Sequence, residues 1–253
     1  MAITRKIERS PAHRVLRGHA AAQALRVGGL TPLSATDWPG QLSAVVFCQG
    51  CPWRCGYCHN PHLLACRGAG ELSWQDVLAF LGRRAGLLDA VVFSGGEPLA
   101  QHALADAMRA VKRMGFGVGL HTGGAYPSRL AQVLPLVDWV GFDVKALFAD
   151  YPRITGVRES GAKAQASARL LIESSVDCEF RTTVHPRQHE PGTLARLARV
   201  LADLGVRHYV LQEFRRDGCA NEGLSDDVPP SFLTQAWSAR IAPQFTTFAV
   251  RRA

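Results

Sequence analysis

An α/β fold on a parallel sheet is predicted by three features of this 253-residue sequence. Apolar runs of strand length recur from residue 42 onward. Amphipathic stretches of helix length separate them, which implies parallel β-α-β units with right-handed crossovers. The strand runs are apolar almost throughout, as expected where helices cover a sheet. An open doubly wound sheet and a barrel both fit this pattern. No G-x-G-x-x-G follows the first strand, which weakens the dinucleotide-binding form of the open sheet.

Strands are predicted at Ala44–Cys48, Ala90–Ser94, Gly117–His121, Trp139–Val144, Cys178–Val184 and His208–Glu213. Helices are predicted at 74–86, 102–114, 127–135, 163–174 and 192–204. The first of these has a start signal in Ser73-Trp74-Gln75-Asp76, where Ser73 can cap the amides of the opening turn. A last helix near 231–240 precedes an edge strand at Thr246–Val250. No low-complexity linker divides residues 28–253, so they read as one domain behind a short irregular N-terminal tail, residues 1–27.

Hydrophobic residues make up 47% and charged residues 20%, which supports a sizeable core and excludes a wholly disordered chain. No stretch approaches ~18 uninterrupted apolar residues, so no membrane span is expected. Of the net charge of +8, the tail holds +5, from six Arg/Lys against Glu8 alone. The body is close to neutral, and no nucleic-acid footprint is expected on it. The tail lacks a long apolar run before a cleavage site and reads as a solvated segment, not a secretory signal.

Four of the seven cysteines, Cys48, Cys51, Cys55 and Cys58, cluster just after the first predicted strand. A disulfide scaffold would spread its cysteines; clustered thiols without an export signal point to a metal site in a reducing compartment, the cytoplasm. Cys51, Cys55 and Cys58 form C-x3-C-x2-C, a spacing that can place three thiolates around one [4Fe–4S] cube and leave the fourth iron open. Adding Cys48 gives four thiols that suit tetrahedral zinc. Zinc-ribbon cysteines usually come as two separated knuckles, however, and Cys48 ends an apolar strand where a buried thiol is ordinary. Cys66, Cys178 and Cys219 are scattered and read as ordinary thiols.

The run Cys51-x3-Cys55-x-Tyr57-Cys58 resembles the signature loop of the radical S-adenosylmethionine (radical SAM) superfamily, in which an aromatic precedes the last cysteine. The resemblance implies an oxidoreductase with Cys51, Cys55 and Cys58 on a [4Fe–4S] cluster and SAM chelating the open iron. A reduced cluster then cleaves SAM to methionine and a 5′-deoxyadenosyl radical. Six β-α units after residue 42 fit a partial (β/α)6 barrel, with the site at the C-terminal strand ends.

The other strand ends extend the resemblance. Ser94-Gly95-Gly96-Glu97-Pro98 is similar to the segment that holds the SAM amino group, and its glycines let backbone approach a ligand. The third strand ends in His121-Thr122-Gly123-Gly124 and the fourth in Asp143-Val144-Lys145. In glycyl-radical-enzyme activases the matching ends are usually Asp-Thr-Asn-Gly and Asp-Leu-Lys. Thr122, Asp143 and Lys145 match, and Tyr57 joins them as a cofactor contact. His121 and Gly123 depart from the pattern, which puts any cation site using the missing carboxylate in question. Arg181 lies inside an apolar strand, where a charge needs a partner; a SAM carboxylate and a structural salt bridge both qualify. Gln212-Glu213-Phe214-Arg215 stands where many activases carry a histidine, and it stays unassigned. His59, His62 and His185 read as solvated loop histidines.

The opening Gly28–Gly40, with Phe47-Cys48-Gln49-Gly50-Cys51-Pro52, resembles the anaerobic ribonucleoside-triphosphate reductase activating proteins and the pyruvate formate-lyase activating enzymes. This implies a glycyl radical enzyme as protein substrate and an external one-electron reductant such as flavodoxin or ferredoxin. No cysteine-rich insertion for auxiliary clusters follows Cys66. A small radical SAM enzyme acting on a small molecule, of the 7-deazaguanine-forming type, and a non-catalytic zinc-binding module are the alternatives.

Overall fold

The computed structural model describes residues 25–67, 72–226, 228, 233–234 and 239–252. One eight-stranded sheet organises them: β1 (Val27–Ser34), β2 (Ser43–Cys48), β3 (Ala90–Gly95), β4 (Gly117–Thr122), β5 (Trp139–Asp143), β6 (Asp177–Val184), β7 (His208–Glu213) and β8 (Thr247–Arg251). The strands lie side by side in chain order. β1 runs antiparallel to β2, and every later pair is parallel. The order never reverses, so the sheet winds in one direction, as a barrel does and a doubly wound sheet does not. β1 does not pair with β8, and the barrel is partial. β2 to β7 are the six predicted strands, and β8 is the predicted edge strand.

Helices α1 (Trp74–Gly82), α2 (Leu104–Arg113) and α3 (Pro127–Val133) connect β2 through β5. α4 (Tyr151–Thr155) and α5 (Ser160–Glu173) join β5 to β6, α6 (Pro191–Leu204) joins β6 to β7, and the short α7 (Glu222–Ser225) follows β7. Ser73 caps α1 as expected, its hydroxyl accepting from the Asp76 amide at 3.1 Å. The expected helix near 231–240 lies mostly outside the described residues, as does the tail through residue 24. No described helix is long and apolar enough to cross a membrane.

β1 departs from the expected outline, because residues 27–34 carry two glycines and a proline and do not alternate. An edge strand tolerates them. Register shifts between Val27 and Gly29, and between Thr31 and Ser34, absorb the misfit.

Alternation along the strands separates two faces. Val46, Val91, Phe93, Leu120, Phe142 and Leu211 join the core beneath the helices, with Leu104, Met108, Leu171 and Leu201. Val45, Val92 and Val210 are buried on the opposite, inner face and are not part of that core. Trp38, from the β1–β2 connection, fills the inner face: a Cβ on Gly119 would stand 3.0 Å from its ring, which stacks on Trp139 at 5.7 Å.

Candidate active site

The loop after β2 is pinned by backbone bonds. The Gly50 amide donates to Leu63 at 2.8 Å, Cys51 to Leu64 at 3.2 Å, and Arg54 to Thr155 at 2.8 Å. The Gln49 amide group donates to the carbonyls of His62 (3.1 Å) and Ala65 (2.8 Å). These bonds anchor the loop to the segment that follows it and to Thr155.

The segment after β3 locks onto this loop. The Gly96 amide donates to Cys48 and the Glu97 amide to Gly50, both at 2.9 Å. A Cβ on Gly96 would stand 2.6 Å from the Gly50 oxygen, and one on Gly95, where φ is +118°, would stand 2.4 Å from the Cys48 nitrogen. These glycines bring two backbones together as well as opening the cleft. Buried Glu97 accepts from the Thr122 hydroxyl at 2.7 Å and from the Gly123 and Leu99 amides at 3.1 Å. Burial raises its pKa, and those three donors oppose the rise.

Cys51, Cys55, Cys58, Tyr57, Gly95, Gly96, Glu97, Thr122, Asp143 and Lys145 all line one cleft of about 140 Å³ at the C-terminal strand ends. Arg181 is absent from the lining. It is buried on the inner face of β6, and its Nε donates to Asp143 at 3.0 Å. Gly141 makes room for it, since a Cβ there would stand 2.8 Å from the guanidinium. His121 Nε2 lies 3.2 Å from Arg181 Nη1 and 2.7 Å from the Asp37 carbonyl. Burial works against ionisation of Asp143, but Arg181, Lys145 and His121 outweigh it and hold the carboxyl below its usual range.

Burial opposes the charge on Lys145 too, but Tyr57, Cys55 and Asp143 push its pKa well up. Among the described residues its ammonium makes no hydrogen bond or ion pair; it sits 5.9 Å from the Trp53 ring centroid and 6.0 Å from that of Tyr57. Trp53 had no sequence signal beyond being an aromatic in a loop. It is buried against Gly123, where a Cβ would stand 2.4 Å from its ring, and meets Tyr151 edge-on. His185, expected in solvent, is fully buried, while His62 is exposed and His59 partly buried on the cleft. The expectation for His185 fails because both ring nitrogens are engaged by backbone.

The cysteines divide by position. The Cys48 thiol is fully buried in the core under the helices, and its pKa is raised by burial. Cys51 is pushed up to about 12 by burial and by Glu97, and Cys55 is raised by burial against the pull of Lys145. Thiolates are the metal-binding form, so loading this site releases protons. Among the described residues no three Cys, His, Asp or Glu side chains are arranged to hold a single metal ion. Three cysteine thiols in the lining of one cleft are the donor type that iron–sulfur clusters take. Among the described residues the buried Tyr57 hydroxyl has no hydrogen-bond partner, which leaves a donor for a bound group to satisfy.

A largely parallel sheet that winds one way thus carries three cysteines after its first parallel strand and polar groups at the next strand ends. The sequence profile of the Radical SAM superfamily matches residues 45–199, and the chain belongs to that superfamily. The superfamily uses a [4Fe–4S] cluster and SAM. The chain is 32% identical over 198 residues to the putative glycyl-radical enzyme activating enzyme MJ1227 of Methanocaldococcus jannaschii, covering 74% of this chain and 79% of the relative. It is 34% identical to the pyruvate formate-lyase-activating enzyme of Clostridium pasteurianum, over 54% of this chain and 59% of that one. In fold it is similar to QueE from Escherichia coli, with a TM-score of 0.56 and 16% identity over 93% of this chain and 98% of that one.

Proposed function

We propose that this chain is a glycyl-radical-enzyme activase, with anaerobic ribonucleoside-triphosphate reductase as its first candidate partner. The observation that carries the reading is the meeting of Cys51, Cys55 and Cys58 with Asp143 and Lys145 in one cleft, in a chain similar to a glycyl-radical enzyme activating enzyme. Cys51, Cys55 and Cys58 would hold the cluster. Bound cluster and SAM would supply one-electron cleavage of the sulfonium, giving a radical able to take hydrogen from a partner glycine.

The chain's own groups select the ligand. Asp143 and Lys145 present opposite charges two residues apart, which matches the ammonium and carboxylate of an amino-acid moiety. The exposed edge of the Gly95-Gly96 backbone and the Tyr57 hydroxyl add neutral contacts. Arg181, already bonded to Asp143, acts through that carboxylate and not on the cofactor directly. No second convergent polar set was legible in the sequence to orient a small metabolite, which favours a protein substrate. A flavodoxin- or ferredoxin-type donor in the cytoplasm would supply the electron.

The test is anaerobic reconstitution followed by SAM, reductant and the candidate reductase. A brown protein with about four irons per chain and a glycine-centred EPR doublet on the partner is the expected result. Fast stoichiometric turnover of a small molecule without a partner would replace this reading with the metabolite-enzyme alternative. Colourless protein holding one zinc would replace it with the zinc module.

A further inference from the structure

The turn His185-Pro186-Arg187-Gln188-His189, between β6 and α6, carries two buried histidines that the activity proposed above does not use. Their tautomers follow from their partners. The His185 amide donates to His189 Nδ1 at 3.0 Å, so that nitrogen carries no proton. The proton is on Nε2, which donates to the Lys145 carbonyl at 2.7 Å. In the same way the Arg187 amide donates to His185 Nδ1 at 3.1 Å, and His185 Nε2 donates to the Leu224 carbonyl at 2.7 Å. Each imidazole has both nitrogens satisfied.

This turn touches the two sides of the cleft. Phe214 stacks on His59 of the cysteine loop at 5.2 Å and meets His185 edge-on at 4.7 Å. The His189 ring lies 6.2 Å from that of Tyr57. At its far end the turn reaches the peptide of Lys145, whose amide donates to the Tyr151 hydroxyl at 3.0 Å. Lys145 is thus gripped on both sides of its backbone, Tyr151 at the amide and His189 at the carbonyl. Nothing grips its ammonium among the described residues. A long flexible side chain with a free end aims reproducibly only if its root is fixed, because each loose rotor costs affinity on binding.

We propose that His189 is a positioning residue: by holding the Lys145 carbonyl it fixes the root from which the Lys145 ammonium reaches a bound anionic group, the SAM carboxylate. The inference rests on the radical SAM reading of the cleft and adds a residue from outside the four strand-end motifs.

The experiment measures SAM dissociation constants by equilibrium binding to the anaerobically reconstituted protein. His189→Phe is expected to weaken SAM binding roughly tenfold, the order of one lost buried hydrogen bond with its acceptor stranded, with iron content unchanged. His189→Gln keeps a donor and should recover most of that loss. Lys145→Met should weaken binding by itself, and His189→Phe added to it should then do almost nothing, since contacting residues couple and independent ones add. Wild-type affinity in His189→Phe overturns the proposal. So does full additivity with Lys145→Met, or a loss in His189→Gln as large as in His189→Phe. If His189→Phe fails to fold, Tyr151→Phe tests the other grip: weaker binding that disappears in the Lys145→Met background supports the frame, and unchanged binding overturns it. A wild-type protein that takes up iron but never binds SAM would instead defeat the functional reading itself.

Discussion

The outer and inner faces of this sheet are built on different rules. The outer face is apolar side chains under helices: Val46, Val91, Phe93, Val118, Leu120 and Phe142 form one core with α1 to α6. The inner face carries glycines at 117, 119 and 141, the rings of Trp38 and Trp139, and the polar chain Asp37–His121–Arg181–Asp143. Burial on the outer face contributes roughly 1.5–3 kcal/mol for each large apolar side chain. Burial on the inner face costs free energy unless each charge finds its partner. Apolar burial is therefore concentrated under the helices, while the inner-face polar chain leads to Asp143 at the rim of the cleft.

The cysteines test this contrast most severely, since Cys48 belongs to the buried core and Cys51, Cys55 and Cys58 line the cleft. Substitution of Cys51, Cys55 or Cys58 by Ala is expected to abolish iron–sulfur absorbance and SAM cleavage while leaving the melting of the metal-free protein nearly unchanged. Cys48→Ala should do the reverse, keeping the iron and costing about 1–2 kcal/mol of stability for a small cavity in the core. Visible absorbance, iron analysis and urea titration on the four variants decide it. Loss of the cluster in Cys48→Ala would erase the division and support a four-cysteine site.

Two glycines sharpen the contrast at a smaller scale. On Gly96 a Cβ meets the backbone of Gly50, 2.6 Å from its oxygen, and backbone cannot step aside without breaking the bond to the Glu97 amide. Gly96→Ala should cost about 2–3 kcal/mol and reduce cluster loading. On Gly141 a Cβ meets the far end of Arg181 at 2.8 Å, which can swing. Gly141→Ala should cost under about 1 kcal/mol, because Arg181 can shift while keeping its bond to Asp143. Equal stability losses in the two variants would show that the inner face is as tightly determined as the cysteine loop.

The same division explains what could be read from sequence. The outer face announces itself as apolar runs, so β2 to β7 were legible, and so was the lining of the cleft, because it sits at or just past the ends of those runs. β1 was hidden by Gly28, Gly29 and Pro32, which suit an irregular edge but mimic a loop. Arg181 left two partners open, since only the register of β5 against β6, which pairs Asp143 with Arg181, brings the two together. Trp53 and His189 were invisible for a related reason: each lies on a loop whose course sequence periodicity does not describe.

The smallest expected effect is a change of slope. His121 is buried on the inner face, and burial, reinforced by Arg181, lowers its pKa to about 4. In the unfolded chain histidine titrates near ~6.5. Between those values the unfolded state binds more protons than the folded one, so stability rises with pH across that window. The contribution of neutral His121 is complete above pH ~6.5 and is lost as pH falls toward 4. His121→Gln removes the titrating group while keeping a donor for the Asp37 carbonyl. Urea midpoints measured from pH 7 to 4.5 should then fall less steeply, by at most one proton, or about 1.4 kcal/mol per pH unit. Some acid sensitivity should persist, because burial also lowers His59 and His189. Asp143, held low by Arg181 against its burial, adds its own loss only at still lower pH. An unchanged slope in His121→Gln would place the acid sensitivity of the fold on the loops of the cleft rather than on the inner face of the sheet.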